Sequence, residues 1–289
     1  MYKLNDKRAV KIFFETMSHE NIMKEYAHTL EGSKLNINAV GCCGLVRSKG
    51  RIGIERELIN GVRVEDEMAN GTASPSFFGM KMAEELKLIH SRTANKNIYP
   101  DAKNFYLDCA EKCVHDKWLD NNESVKIKKF IEALPVGNSL IYGDYHSNNV
   151  LWENNKIRLI DIADALSGHA IYDLLVAALY MHFFMTNPES SLPSTPEKRE
   201  RRIACWAQLV NTYFELDELK AEDNARAERI IEILDACSLL KLTLAPYSFS
   251  NLSQRGKELC VALGKKTFMP VIEKYTGVVT ENILDLGKA

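Results

Sequence analysis

The stretch Gly143-Asp144-Tyr145-His146-Ser147-Asn148-Asn149, followed twelve residues after Asn149 by Asp161, decides how the rest of the chain is read. An apolar run, Leu140-Ile141-Tyr142, leads into it. Two strand-like segments, Asn149 to Trp152 and Ile157 to Ile160, follow and are joined by a turn at Asn154-Asn155. A carboxylate in a tight loop, an amide five residues on and a second carboxylate ending the next hairpin strand can converge on one point. Phosphoryl transfer needs such a set: one carboxylate orients the acceptor hydroxyl and takes its proton, while the amide and the other carboxylate hold Mg²⁺ against nucleotide phosphates. Any of these residues alone is most often a turn former or a satisfied surface group, so their order and spacing carry the reading.

Upstream, Val10, Ile12 and Phe14 alternate with Ala9, Lys11 and Phe13 at the period of a strand. The Asn5-Asp6 turn pairs this strand with Tyr2 to Leu4. Ser18 can cap a helix whose apolar positions Ile22, Met23, Tyr26 and Leu30 keep helical spacing to Gly32. Val40 to Val46 and Arg51 to Leu58 make a second hairpin across Ser48-Lys49-Gly50. Past Ile59-Asn60-Gly61 the pattern turns helical, with segments near 63–70, 77–93, 101–118 and 122–134. The apolar run Ala170 to Phe184, interrupted by Asp173 and His182, reads as a buried helix, and Thr186 to Lys198, with Pro188, Pro193 and Pro196, as a loop between helices. The expected architecture is an α+β bilobal fold. Residues 1–60 form a small antiparallel sheet with one helix; residues 61–289 form a mainly helical part with the loop 142–149 and the hairpin 149–161.

Composition narrows the function classes. The chain has 289 residues, Lys+Arg 37 against Asp+Glu 39, and a formal charge of -2, so no global basic field attracts nucleic acid or an anionic membrane. No apolar run reaches the ~20 residues of a membrane span, and the N-terminus shows neither a signal nor a transit peptide. Seven cysteines without regular spacing fit free thiols in a reducing cytosol, hence a cytoplasmic location. Cys109 and Cys113, one helical turn apart near His115, are read as core rather than as metal ligands. Gly264-Lys265-Lys266-Thr267 is not read as a phosphate loop, because position 259 is Leu and the flanks are helical. The acidic run Glu215, Asp217, Glu218, Glu222, Asp223 would suit a polyamine or aminoglycoside, but with Lys220 among them a solvated helix face is the better reading.

Tyr142-Gly143-Asp144-x-His146-x-x-Asn149 and then Leu159-Ile160-Asp161 resemble the His-Gly-Asp-x-His-x-x-Asn and Ile-Asp-Phe signatures of the aminoglycoside phosphotransferase and choline kinase superfamily, whose fold is protein-kinase-like. Leu134-Pro135-x-Gly137 before the loop and Gly168-His169-x-x-Tyr172-Asp173-Leu174 after it resemble the same family, in particular its small bacterial members. The resemblance implies that Asp144 is the catalytic base and that Asn149 and Asp161 are Mg²⁺ ligands. It makes His146 and Asp173 loop-bracing residues. Ala9-Val10-Lys11-Ile12-Phe13 resembles the strand whose lysine holds the α- and β-phosphates, with Glu25 as its ion-pair partner. Glu57-Leu58-Ile59-x-Gly61 looks like the hinge, where backbone atoms of Glu57 and Ile59 would meet the purine edge.

Two departures from the family pattern stand out. Tyr142 replaces the usual histidine at a position that packs the loop, and activity is expected to survive. The chain also begins one strand late, without the first strand and Gly-rich turn that cover the nucleotide in family members; the N-lobe is reduced or its start truncated. The implied function is transfer of a phosphoryl group from ATP or GTP to a hydroxyl of a small molecule, whether aminoglycoside-like, choline-like or a sugar. Two other classes stay open: a catalytically impaired pseudokinase or nucleotide-binding module, and a metallophosphoesterase. The acceptor and the oligomeric state have no signature in the sequence.

Overall fold

The computed structural model describes residues 1–48, 50–190, 194–249 and 252–279. It begins with strands β1 (Tyr2–Lys3) and β2 (Arg8–Ile12), helix α1 (His19–Gly32), and strands β3 (Cys42–Ser48) and β4 (Arg51–Glu57). These strands form one antiparallel sheet in the order β1-β2-β4-β3. Ser18 accepts from the amide of Asn21 and starts α1, which ends at Gly32, as the sequence predicts. Lys49 of the expected β3–β4 turn lies outside the described residues. Phe13, Ile22 and Ile54 form a small apolar cluster between this sheet and its helix.

The rest is mainly helical. Strand β5 (Val62–Arg63) leads to α2 (Val64–Asn70), α3 (Pro75–His90), α4 (Ala102–His115) and α5 (Asn121–Ala133), close to the expected segments. Then come β6 (Ser139–Ile141), β7 (Val150–Glu153), β8 (Lys156–Leu159) and β9 (Leu166–Gly168). After them lie α6 (Ile171–Ala178), a π-helical turn (Leu179–Phe183), α7 (Phe184–Thr186), α8 (Pro196–Phe214), α9 (Ala221–Thr243), α10 (Ala245–Ser248), α11 (Gln254–Phe268) and α12 (Ile272–Val279). The α+β, protein-kinase-like class predicted from the sequence is the one observed, with its antiparallel sheet at the start and helices after it.

Some details differ from expectation. β5 pairs with β7, and β6 with β9, as pairings of two and three residues, too short to show alternation in sequence. The predicted helix over 170–184 changes to π pitch at Leu179, and Tyr180 within that turn packs against the ring of His146. The predicted loop ends at Thr195, whose hydroxyl caps α8, with Pro196 in the first turn where its missing N–H costs nothing; residues 191–193 lie outside the described set.

The main core joins Trp206 of α8, Phe78 and Met82 of α3, Phe130 of α5 and Phe268 of α11. α3 and α8 approach closely because residue 79 is glycine: a Cβ there would lie 2.2 Å from the Cys205 carbonyl oxygen. Cys109 and Cys113 are buried in this core, while His115 pairs with Asp116 at the surface. Gly264 packs on the backbone of Thr243 inside a helix, which leaves no phosphate loop there. None of the helices among the described residues is long and apolar enough to cross a membrane.

Candidate active site

The sequence folds the loop after β6 around a backbone that only glycine tolerates. Gly143 has φ +87°, and a Cβ on it would sit 2.1 Å from the carbonyl oxygen of Asp164. That turn presents Asp144. Its Oδ2 accepts from Asn149 Nδ2 at 2.6 Å, and the same amide donates to the Asp144 carbonyl at 3.0 Å. His146 Nε2 stands 3.6 Å from Oδ2, its ring stacked 4.2 Å from that of Tyr180. Lys241 of α9 donates to the Gly143 carbonyl at 3.0 Å and lies 3.8 Å from Asp144 Oδ1.

Burial alone would raise the Asp144 carboxyl, but the neighbouring His146 ring, the Lys241 charge and the Asn149 amide outweigh it and hold the group down at about 2. Asp144 is therefore an anion at neutral pH. Asp164 goes the other way: burial, with Asp144 and Asp161 nearby, raises its carboxyl despite Lys241.

The β7–β8 register explains how Asn149 and Asp161 meet. Val150 pairs with Leu159, so Asn149 and Ile160 leave the open end of the hairpin side by side, with Asp161 next. The hydroxyl of Tyr142 donates to the Asn149 carbonyl at 3.3 Å and also lies against the backbone of Asp161. Tyr142 thus does more than pack the loop; it ties the two ends together.

Asp173 at the start of α6 accepts from the amides of Tyr142 and Gly143, each at 2.7 Å, and from His90 at 3.1 Å. His146 holds the loop by accepting from the amide of Asn148 at 3.3 Å. Ser147 donates at 2.6 Å to Glu65, which also receives Arg202 at 2.7 Å, so α2 and α8 brace the loop from below.

The sheet reaches the same place. Lys11 on β2 donates to Glu25 of α1 at 2.6 Å and to Asp161 Oδ2 at 3.4 Å. Arg56 on β4, buried, pairs with Glu25 as well and donates to the Ile160 carbonyl at 3.1 Å. His28 on α1 places its two ring nitrogens 2.9 Å from the Ala163 carbonyl and 3.0 Å from that of Ile98.

Glu57 and Ile59 stand apart from this cluster. The Glu57 side chain accepts from Arg158 of β8 at 2.6 Å and from the Gly41 amide at 3.1 Å. Its backbone N–H is engaged with the Gly41 carbonyl, so it is not a free donor for a ligand. The Asn60 amide donates to Glu153 at 2.6 Å, holding the segment that contains Ile59 against the far end of the β7–β8 hairpin.

Sequence reasoning missed Lys241, Arg56, Glu65 and Arg202. A lysine within the apolar run Leu239 to Leu244 was a legible signal for the first. The others carry none, because their partners lie far away in the chain. The acidic run is not at this site. Glu215 pairs with Lys87, Asp223 with Arg226, and Asn211 donates to Glu218. Asp223 opens α9 eighteen residues before Lys241, about 27 Å away at 1.5 Å per residue.

Asp161 and Asn149 offer oxygen donors suited to Mg²⁺, a hard cation that takes one or two protein ligands and completes its shell with water and phosphate. No group of three or more His, Cys, Asp or Glu side chains able to cage a metal occurs among the described residues. That donor set departs from the dinuclear metal centre of a phosphoesterase.

The loop bearing Asp144, the Asn149/Asp161 pair at a hairpin mouth and the Lys11–Glu25 pair reaching it from a small sheet form one cluster on a protein-kinase-like architecture. Residues 71–200 match the model of the phosphotransferase enzyme family (APH). The fold is similar to that of APH(2")-IIa in its streptomycin–ATP ternary complex, with TM-score 0.55 and 16% identity over 93% of this chain and 88% of the other. A choline/ethanolamine kinase family protein from Mesorhizobium loti aligns with TM-score 0.55 and 15% identity over 96% and 87%. A choline kinase from Cryptosporidium parvum Iowa II aligns with 0.53 and 11% over 95% and 85%. None of the curated proteins matches the chain.

Proposed function

We propose that this protein transfers the γ-phosphoryl group of ATP or GTP to the hydroxyl of a small molecule in the cytoplasm, with Asp144 as the base. The reading is supported by the Asn149–Asp144 hydrogen bond together with the β7–β8 register, which brings Asn149 and Asp161 out at the same end of the hairpin. Asp144, ionised and fixed by Asn149, accepts a hydrogen bond from the acceptor hydroxyl and takes its proton as the oxygen attacks. Asn149 and Asp161 would hold Mg²⁺, which when bound neutralises charge on the phosphates. Lys11, oriented by Glu25, faces the α- and β-phosphates. Residues 1–60 act as the nucleotide-binding part and 61–289 as the part that carries the acceptor, with the backbone at Ile59 and the carbonyl of Glu57 serving the purine edge.

Calorimetric titration with ATP and with GTP, each with Mg²⁺ and with chelator, tests this on wild type and Asp161→Ala. Mg²⁺-dependent binding in the wild type, weakened tenfold or more in the variant, is the expected result. Equal binding with and without Mg²⁺, or no binding of either nucleotide, sinks it.

A further inference from the structure

Tyr180, Phe184, Phe249, Leu259, Cys260 and Leu263 help to line a cavity of about 220 Å³. Two of its lining residues contact groups that neighbour Asp144. Tyr180 stacks on His146, 3.6 Å from Asp144 Oδ2, and Phe249 lies 5.0 Å under the ammonium of Lys241, 3.8 Å from Asp144 Oδ1. Its lining is apolar and aromatic. The one carboxylate there, Glu189, is paired with Lys266 at 2.5 Å. Lys241 already sits on the Phe249 ring face, one of the aromatic faces that a cationic ligand would use.

Such a lining serves a polycation poorly, because each desolvated ammonium needs a carboxylate partner and Glu189, the carboxylate among the described lining residues, is already paired. The acidic run that would serve one lies at the other end of α9. The volume is below the ~300–1,000 Å³ of sites that take drug-sized ligands, which limits the ligand portion seated there. We infer that the acceptor is an uncharged alcohol whose compact apolar body fills this cavity and whose hydroxyl points out to Asp144. The inference rests on the reading of Asp144 as the base and narrows its acceptor to one chemical class.

Two uncharged alcohols, 2-phenylethanol and geraniol, are compared with choline and kanamycin on the full chain saturated with Mg²⁺·ATP. Binding is read by calorimetry and phosphoryl transfer by labelled γ-phosphate. Leu259 is half exposed on α11, so Leu259→Arg keeps the helix while placing a charge in the pocket wall.

At least one uncharged alcohol is expected to bind and accept phosphate tenfold or more better than choline and kanamycin, and Leu259→Arg to weaken its binding tenfold or more. Preference for either cation overturns the inference and leaves the kinase reading standing. So does failure of both alcohols to bind while Mg²⁺·ATP binds, and so does unchanged alcohol affinity in the variant. Absence of Mg²⁺·ATP binding in the wild type overturns the kinase reading, and the inference with it.

Discussion

Lys241, near the end of α9, stands 3.8 Å from the carboxylate of Asp144, ninety-seven residues earlier in the chain, and donates to the carbonyl of Gly143 at 3.0 Å. One ammonium therefore fixes the loop and biases the charge of Asp144. Lys241→Met is expected to lower kcat roughly tenfold or more and to raise the Asp144 pKa from about 2. Because the Asp144 pKa is depressed in the folded state, its contribution to stability is full above the unfolded value and is lost as pH falls toward about 2. In Lys241→Met that loss sets in at higher pH. Acid-unfolding midpoints and carboxyl NMR titration read both effects.

Asp144→Asn preserves the shape of the side chain and removes the base. Turnover should fall about 10²–10⁴-fold with little change in thermal midpoint, since general-base catalysis accounts for rates of that order. Steady-state kinetics beside calorimetric melting checks it, and undiminished phosphotransfer would refute the assignment of Asp144.

Asp173→Asn tests the bracing of the loop. The carboxylate accepts from two amides, and a carboxamide offers only one acceptor oxygen, so a buried N–H of Tyr142 or Gly143 loses its partner. A loss of about 1–3 kcal/mol is expected from denaturant unfolding, accompanied by lower activity.

Glu85 gives the fold a pH dependence away from the active site. Burial pushes its carboxyl up to about 7, with only the Asn38 amide (2.6 Å) and the charge of Arg158 opposing. The folded state then binds more protons than the unfolded between about pH 4.5 and 7, so stability falls as pH rises through that window. Glu85→Gln should remove this slope and stabilise the protein at pH 8 by on the order of 1–3 kcal/mol, read from urea midpoints at pH 5 and 8.

The loop at 143–149 was legible in the sequence because its signal is local: Gly143, Asp144 and Asn149 lie within seven residues, and the hairpin that leads to Asp161 follows at once. The α1 helix was equally plain, its Ser18 cap and apolar spacing agreeing with each other. Lys11 and Glu25 could be paired only through resemblance, since a strand lysine and a helix glutamate carry no mark of contact. What stayed hidden were groups whose meaning depends on distant partners. Arg56 reaches Ile160 and Arg202 reaches Glu65 across more than a hundred residues. The π turn at Leu179 was hidden for another reason: a uniformly apolar run has no phase from which pitch can be read.

The β7–β8 ribbon is fastened at both ends. Its mouth carries Asn149 and Asp161, and its far end holds the segment after β4, through Glu153 to Asn60 and Arg158 to Glu57. Four paired residues of strand set the spacing between these ends at roughly 13 Å. Under the proposed function, the ribbon is in effect a ruler laid along the nucleotide, with one end at the phosphates and the other at the base. A nucleotide lengthened between base and phosphates would be refused by misfit alone, with every contact group still in place.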